Sequence, residues 1–344
     1  MIAVIIAGGS GTRLWPLSTP DYPKHLLSVN GQAKSLLQQT YERAVGVADT
    51  VYVLTEKGHA HHVKQQLPEL SEAHLIIEPG RRGTANCMLA ALVELQKNHD
   101  KDEPVFILWA DHYIRDIKGF NHSIQLAASL TKKENRIVLI GIEPDYPAIS
   151  FGYIQKGALF DDANFSFNVK SFKEKPDYTT AKKYLKTGEY LWNCGYFIGS
   201  INTFEQAMNR HAPELCENYR ALQVEDNSQT AYLSLTSQNI DNALIEKVDD
   251  LLVVPASFYW IDLGSYGDLH KVVDQDSDGN YAKGNKIELE SVENSYIHNQ
   301  EDKPVVVIGL DNVVVVNTKD GILVTRKDVA QKVGEVSKKL QEGE

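Results

Sequence analysis

The sequence predicts an α/β protein: a mainly parallel mixed sheet flanked by helices, followed by a small β-rich domain. Three observations carry this. Short, wholly apolar runs rich in β-branched residues recur through the first half of the chain, and segments of helical periodicity separate them. After Ser150 the runs turn aromatic, as in "FSFNVKSFKEKP" and "YLWNCGYFIGS". A polar stretch, "DQDSDGNYAKGN", then opens a region of short strands. Wholly apolar strands alternating with helices belong to a parallel sheet covered on both faces.

In chain order the strand candidates are Ile2–Ile6, Val51–Thr55, Leu75–Glu78, Val105–Trp109 and Arg136–Ile142. Between them Ser35–Val47, Thr84–Lys97 and Asn121–Lys132 repeat apolar residues at helical spacing. The aromatic runs extend the sheet with antiparallel members. Helices return at Asn202–His211 and Ile240–Val248, and "LLVVPASFYWIDLGS" reads as a further strand pair. The polar stretch divides a first domain, residues 1–274, from a second, residues 275–344. In the second, strands are expected at Lys286–Leu289, Ser295–His298, Pro304–Gly309, Asn312–Asn317 and Gly321–Thr325. Val329, Val333, Val336 and Leu340 then fall on one stripe of a terminal helix.

Composition narrows the function. A net charge of −11 over 344 residues disfavours nucleic acid as a partner, because a phosphate backbone needs a basic face. A small anionic ligand needs only a few focused cations. Cys87, Cys194 and Cys216 are too scattered for a disulfide framework or a zinc site and read as reduced core residues. "MIAVIIAGG" lacks a basic flank and breaks early, so it is a strand and neither a signal peptide nor a membrane span. The expected address is the cytoplasm, with no membrane partner.

The stretch "AVIIAGGSGTRLWPL", Ala3 to Leu17, places three glycines and an arginine at the end of a buried strand. Such a turn offers backbone N–H groups to a polyphosphate. It is not a dinucleotide fingerprint, because Leu14 stands where the third glycine is needed. Nor is it a P-loop, since Arg13-Leu14-Trp15-Pro16 supplies neither the lysine nor the helix start. Gly8, Gly9, Gly11 and Thr12 remain as nucleotide-binding candidates, followed by Arg13, and by Lys24 in a loop shaped by Pro20 and Pro23.

"GGSGTRL…PKHLL" resembles the signature of the sugar-1-phosphate nucleotidylyltransferases. Further blocks occur in the family's order: "EPGRRGTA", "ADHYI", "FGYI", "FKEKPD", "LWNCGYF", "IDNALIEK", "WIDLGSYGDL" and "GLDNVVVVNTKDGILV". They cover nearly the whole chain, and the finer resemblance is to the mannose-1-phosphate guanylyltransferase group. The resemblance implies a Rossmann-like catalytic fold and a left-handed β-helix-like C-terminal domain. It also implies transfer of GMP from GTP to mannose 1-phosphate with Mg²⁺, in a homodimer.

The chemistry suits such a site. A phosphate monoester is already ionised above pH ~6, so its attack on the α-phosphorus needs no general base. What it needs is neutralised charge and in-line positioning of two polyanions. Arg13 and Lys24 are the cations for the triphosphate. Asp111, after "VFILWA", lies at the carboxyl end of a buried strand, where open α/β sheets bind ligands, and Asp262 follows "FYWI" in a similar place. Both resemble the family's metal aspartates, and carboxylates suit Mg²⁺. By resemblance, Thr84 and Ala85 belong to the base-recognition loop, Gly152, Tyr153, Glu174 and Asn193 line the mannose, and Lys175 holds its phosphate. His112, beside Asp111, is expected to be structural.

The chain departs from the family in that base loop. Where asparagine and proline are usual it has Gly83 and Asn86, and Trp109 replaces the proline before Ala110-Asp111-His112. Another base or another hexose or heptose phosphate is therefore the alternative substrate reading. A non-catalytic nucleotide-sugar binder would be expected to have lost one of Arg13, Lys24, Asp111 or Asp262, and all four stand.

Overall fold

The computed structural model describes the chain apart from residues 10, 30, 163–164, 225–227 and 343–344. It folds as two compact units. The first comprises Met1–Gly8, Thr40–Ala110 and Ile114–Trp260; the second comprises Gly9–Gln39, Asp111–Tyr113 and Ile261–Glu344.

The strands run β1 (Ile2–Ala7), β2 (Thr50–Glu56), β3 (Leu75–Glu78), β4 (Pro104–Trp109), β5 (His112–Ile114) and β6 (Val138–Ile142). They continue with β7 (Gly152–Asp161), β8 (Ser166–Lys173), β9 (Tyr190–Ser200), β10 (Leu252–Pro255) and β11 (Trp260–Asp262). In the first unit nine of these form one sheet in the order β3-β2-β1-β4-β9-β6-β10-β8-β7. β1 is parallel to both β2 and β4, and every one of its residues is buried. β9 and β8 run against the rest, so the sheet is mixed but mainly parallel in direction. Ala85, Leu89 and Leu92 of helix Gly83–Leu95 share one buried core with Ile2, Val4, Leu54 and Ile107 of the sheet. Helix Ile117–Glu134 is capped by Asp116, which accepts from the Gly119 N–H, and ends on Asn135 in the left-handed region. Such caps satisfy the orphan groups that a helix leaves at its ends.

In the second unit, β12 (Tyr281–Gly284), β14 (Tyr296–Asn299) and β16 (Val313–Thr318) stack in parallel register, Tyr281 beside Tyr296 beside Val314. β13 (Ile287–Glu290) pairs in parallel with β15 (Val305–Ile308) on another face, and β17 (Gly321–Arg326) closes the first sheet antiparallel to β16. Alternate strands of successive coils thus form separate parallel sheets, a β-helix-like arrangement. Ile297, Val307, Val313 and Val315 fill its interior. On its other side Tyr281, Tyr296, Val314 and Val316 join Leu14, Leu17, Leu27, Tyr266 and Ala330 in a second core. The glycine-turn segment is therefore packed on this stack.

Two expectations are corrected. The run "LLVVPASFYWIDLGS" does hold two strands, but they do not pair with each other: β10 joins β6 and β8, while β11 pairs with β5. The terminal helix, Val333–Glu342, does not bury the valine stripe. Val333 is buried, whereas Val329, Val336 and Leu340 are exposed, and the inward positions are Ala330, Gly334 and Ser337. The space there is narrow, so small residues face in. Among the described residues, no helix is long and apolar enough to cross a membrane.

Candidate active site

Gly8 and Gly9 sit in open ground: nothing lies within 4 Å of where a Cβ would stand on either, and Gly9 has φ 99°. Gly11 is different. Its φ is 57°, and a Cβ there would come within 2.7 Å of the Lys24 backbone nitrogen. Gly11 therefore lets the short 3₁₀ turn Lys24–Leu26 approach the turn Thr12–Leu14. The Ser18 hydroxyl donates to the Gly11 carbonyl, and the Tyr266 hydroxyl reaches the Leu14 and Trp15 carbonyls at 2.8 and 3.0 Å. The packing that holds this loop is the reason Lys24 is buried.

Lys24 is the centre of the second unit's polar cluster. Its Nζ lies 2.8 Å from Oδ2 of Asp111 and 2.9 Å from Oδ1 of Asp262. Burial alone would depress the ammonium's pKa; the two carboxylates outweigh burial and hold it above its ordinary value. Burial likewise opposes ionisation of Asp111, yet Lys24, then His112, keep its carboxyl well below the usual carboxylate range. Asp262 is lowered too, against burial, by the same lysine. Each carboxylate spends one oxygen on Lys24 and keeps the other. His112 Nε2 is 3.9 Å from Asp111 Oδ1, a distance for charge influence but not for a hydrogen bond. Arg13 is exposed, with Nη1 3.2 Å from where a Cβ on Gly264 would stand.

The first unit holds a second cluster. β7 and β9 pair so that Gly152 stands opposite Asn193. A Cβ on Gly152 would lie 2.6 Å from Oε2 of Glu174 and 3.3 Å from Cβ of Asn193, so the three predicted residues do meet. Asn193 accepts from the Gly195 N–H at 3.0 Å and donates to Oδ1 of Asp241 at 2.8 Å. Burial, and after it the Glu174 carboxylate, push the Asp241 pKa up to about 7. Lys175 is exposed, has φ 44°, and pairs with Glu174 at 3.1 Å. Tyr153 is fully buried, its hydroxyl donating to the Ala148 carbonyl at 2.9 Å, so its side chain serves the wall.

The departures in the loop expected to meet the base are explained by packing within the same unit. Gly83 has φ 81°, and a Cβ there would fall 2.3 Å from the Gln238 carbonyl oxygen. The Asn86 amide donates to the Arg82 and Thr236 carbonyls at 2.6 and 2.9 Å. Thr84 bonds Asn239 and the Ile240 N–H, and Ala85 donates to the Gln238 carbonyl. Buried Glu78 secures the near end, accepting from the Tyr232 hydroxyl at 2.6 Å and the Arg82 N–H at 3.2 Å. The loop is thus stitched to the segment that leads into Asp241.

Residues 2–279 match the family described as nucleotidyl transferase, and residues 284–340 match the mannose-P isomerase/GMP-like β-helix domain. The chain belongs to the nucleotidyl transferase family. A mannose-1-phosphate guanylyltransferase from Salmonella montevideo is 35% identical over 98% of this chain and 73% of its own length. The xanthan biosynthesis protein XanB of Xanthomonas campestris is 34% identical over 99% of this chain and 73% of its own. A crystal structure described as a mannose-1-phosphate geranyltransferase from Thermus thermophilus superposes with a TM-score of 0.88 at 29% identity, covering 98% of both chains.

This nucleotidyltransferase holds its predicted residues in two groups. Lys24, Asp111 and Asp262 touch in the second unit; Gly152, Glu174 and Asn193 touch in the first. Asp241, Glu78 and Gly264 are not singled out by the sequence. In the structure Asp241 is the first-turn acid of the short helix Ile240–Ala243, with Asn239 as its cap. Its one signal is the block "IDNALIEK", to which the sequence alone gives no role.

Proposed function

We propose that this enzyme transfers GMP from GTP to mannose 1-phosphate, forming GDP-mannose and releasing pyrophosphate. The names of the relatives support the substrates, and the Lys24 bridge between two carboxylates supports the chemistry. An exchange between two polyanions needs cations held in place before the substrates arrive, because reorganising them during reaction would cost rate. Lys24 is such a cation, buried and kept charged by Asp111 and Asp262. Gly8 and Gly9 leave room for a polyphosphate at the glycine turn, and Arg13 adds a planar fork for its oxygens.

The donor set of Asp111 and Asp262 fits a hard divalent cation, two carboxylates converging on one charged centre with an oxygen each to spare. They would hold Mg²⁺, which when bound supplies positive charge to polyphosphate oxygens. On the sugar side, Glu174 accepts hydrogen bonds from hydroxyls, Asn193 presents an amide fixed by Asp241 and Gly195, and Gly152 allows close approach of the ring. Lys175 takes the sugar phosphate, and Thr84 and Ala85 belong to the loop beside the base.

The test is pyrophosphate release across nucleoside triphosphates and sugar 1-phosphates, with and without chelator. GTP with mannose 1-phosphate should be fastest, and chelation should abolish turnover. Release fastest with another pair would reassign the substrates, and none with any pair would remove the reading.

A further inference from the structure

Glycine is the poorest helix former short of proline, yet the C-terminal helix Val333–Glu342 has Gly334 as its second residue. Its backbone is not in the left-handed region, so alanine could adopt the same conformation. Space is what forbids a side chain. A Cβ on Gly334 would stand 2.8 Å from Cγ, 3.6 Å from Cα and 3.7 Å from Cβ of Arg13, and these are its nearest neighbours. At the other end of the same side chain, a Cβ on Gly264 would stand 3.2 Å from Nη1. Among the described residues no hydrogen bond or ion pair holds the Arg13 guanidinium. What adjoins the side chain at its two ends is the backbone at these two glycines.

We infer that Gly334 and Gly264 are positioning residues for Arg13: the terminal helix sets the arginine's stem and the turn after Asp262 sets its head. This rests on the role given to Arg13 above. It makes the C-terminal segment part of the transfer machinery, since the helix that follows the β-helix-like stack presses on the cation meant for the triphosphate. The residues that flank Gly334 on the inward side, Ala330 in the preceding 3₁₀ turn Lys327–Lys332 and Ser337 in the helix, are small and buried, so the segment around Gly334 is tightly seated. A displaced arginine costs rate even when it can still bind, because the transition state is sensitive to misplacement of about 1 Å.

The experiment compares four full-length proteins: the parent, R13A, G334A and the double variant R13A/G334A, in pyrophosphate-release kinetics and thermal melts. R13A should lower kcat by ~10³-fold. G334A should lower kcat by about 10-fold or more with the KM for mannose 1-phosphate unchanged. Helix propensity favours alanine, so the loss should come without a lower Tm beyond the local clash. The deciding result is the double variant. Alanine at 13 has no Cγ to displace, so G334A should cost nothing further in that background. If G334A does not fold, G264A, which presses on the movable Nη1, is read the same way. Parent-like kcat in G334A, or equal losses in both backgrounds, would overturn the inference while leaving Arg13's role intact. Parent-like kcat in R13A would overturn both, and is visible in that variant alone.

Discussion

Asn193 donates to Asp241 at 2.8 Å, joining a residue in the middle of β9 to one at the start of a short helix. The bond fixes the amide: its nitrogen is spent on Asp241, and its oxygen takes the Gly195 N–H. It also buries a carboxylate beside Glu174, and the pH behaviour of the protein should show it.

Asp241 has a native pKa of about 7 against an ordinary 3.8. The folded state keeps a proton that the unfolded chain has lost, so this contribution is full below pH ~4 and declines as pH rises to 7. Asp241→Asn keeps the acceptor for Asn193 and removes the charge. Melts at pH 4 and pH 8 should show little change at the lower pH and a gain of about 2–4 kcal/mol at the higher. The same slope in parent and variant would remove Asp241 as its source.

Lys24→Met should act in the opposite sense. It leaves Asp111 and Asp262 without their shared counter-charge, and breaking a buried pair is costly. Because the two carboxylates remain about 34% and 23% exposed, the loss should sit at the lower side, about 2–3 kcal/mol. Both have lowered native pKa values, so the parent draws stability from them above the ordinary carboxylate range and loses it as pH falls. The variant should have a flatter acid limb, and Mg²⁺ without substrate should restore part of its stability at neutral pH. Denaturant titrations with and without Mg²⁺ check this; no change in either would count against the cluster.

The two ends of the glycine turn should respond differently to alanine. Gly11→Ala meets the Lys24 backbone at 2.7 Å from a left-handed conformation, so stability should fall by about 2 kcal/mol or more. Gly8→Ala meets nothing within 4 Å. Its stability should stay within about 0.5 kcal/mol of the parent, while the KM for GTP rises. Equal effects on both measures at both glycines would show that the turn is not divided in this way.

This contrast marks where sequence reasoning stops. The strands were legible because β1 is buried on both faces, and wholly apolar runs of that length have few other fates. Lys24, Asp111 and Asp262 were legible because each stands at a break after an apolar or proline-framed run. That Gly11 also makes room for the Lys24 backbone could not be read from the sequence. Gly83 and Asn86 looked like departures from a pattern; in the fold they answer the Gln238 and Thr236 carbonyls, far along the chain. Pairings across such separations leave no periodicity. The terminal helix misled for a related reason: its apolar stripe was real, but the space inside accepts only small residues.

The last prediction concerns the sugar. A Cβ on Gly152 would lie 2.6 Å from Oε2 of Glu174, the movable end of a side chain rather than backbone. Gly152→Ala should therefore push the carboxylate aside, at a stability cost of about 1 kcal/mol because the new Cβ would also stand 3.0 Å from Cζ of buried Phe172. Glu174 can accept hydrogen bonds from adjacent hydroxyls, and a buried site built for that purpose rejects a substrate lacking one because its own acceptor is left unpaired. The parent enzyme should use 2-deoxy or 3-deoxy mannose 1-phosphate ~10²-fold less well than the natural sugar. Gly152→Ala and Glu174→Gln should both narrow that ratio, chiefly by slowing the natural substrate, because the first displaces the carboxylate and the second replaces one of its acceptor oxygens with a donor and removes its charge, without touching Asp111, Asp262 or Lys24. kcat/KM for natural and deoxy substrates in all three proteins decides it. An unchanged ratio in both variants would place Glu174 outside the sugar's reach, and with it the strongest reason in this chain for choosing mannose.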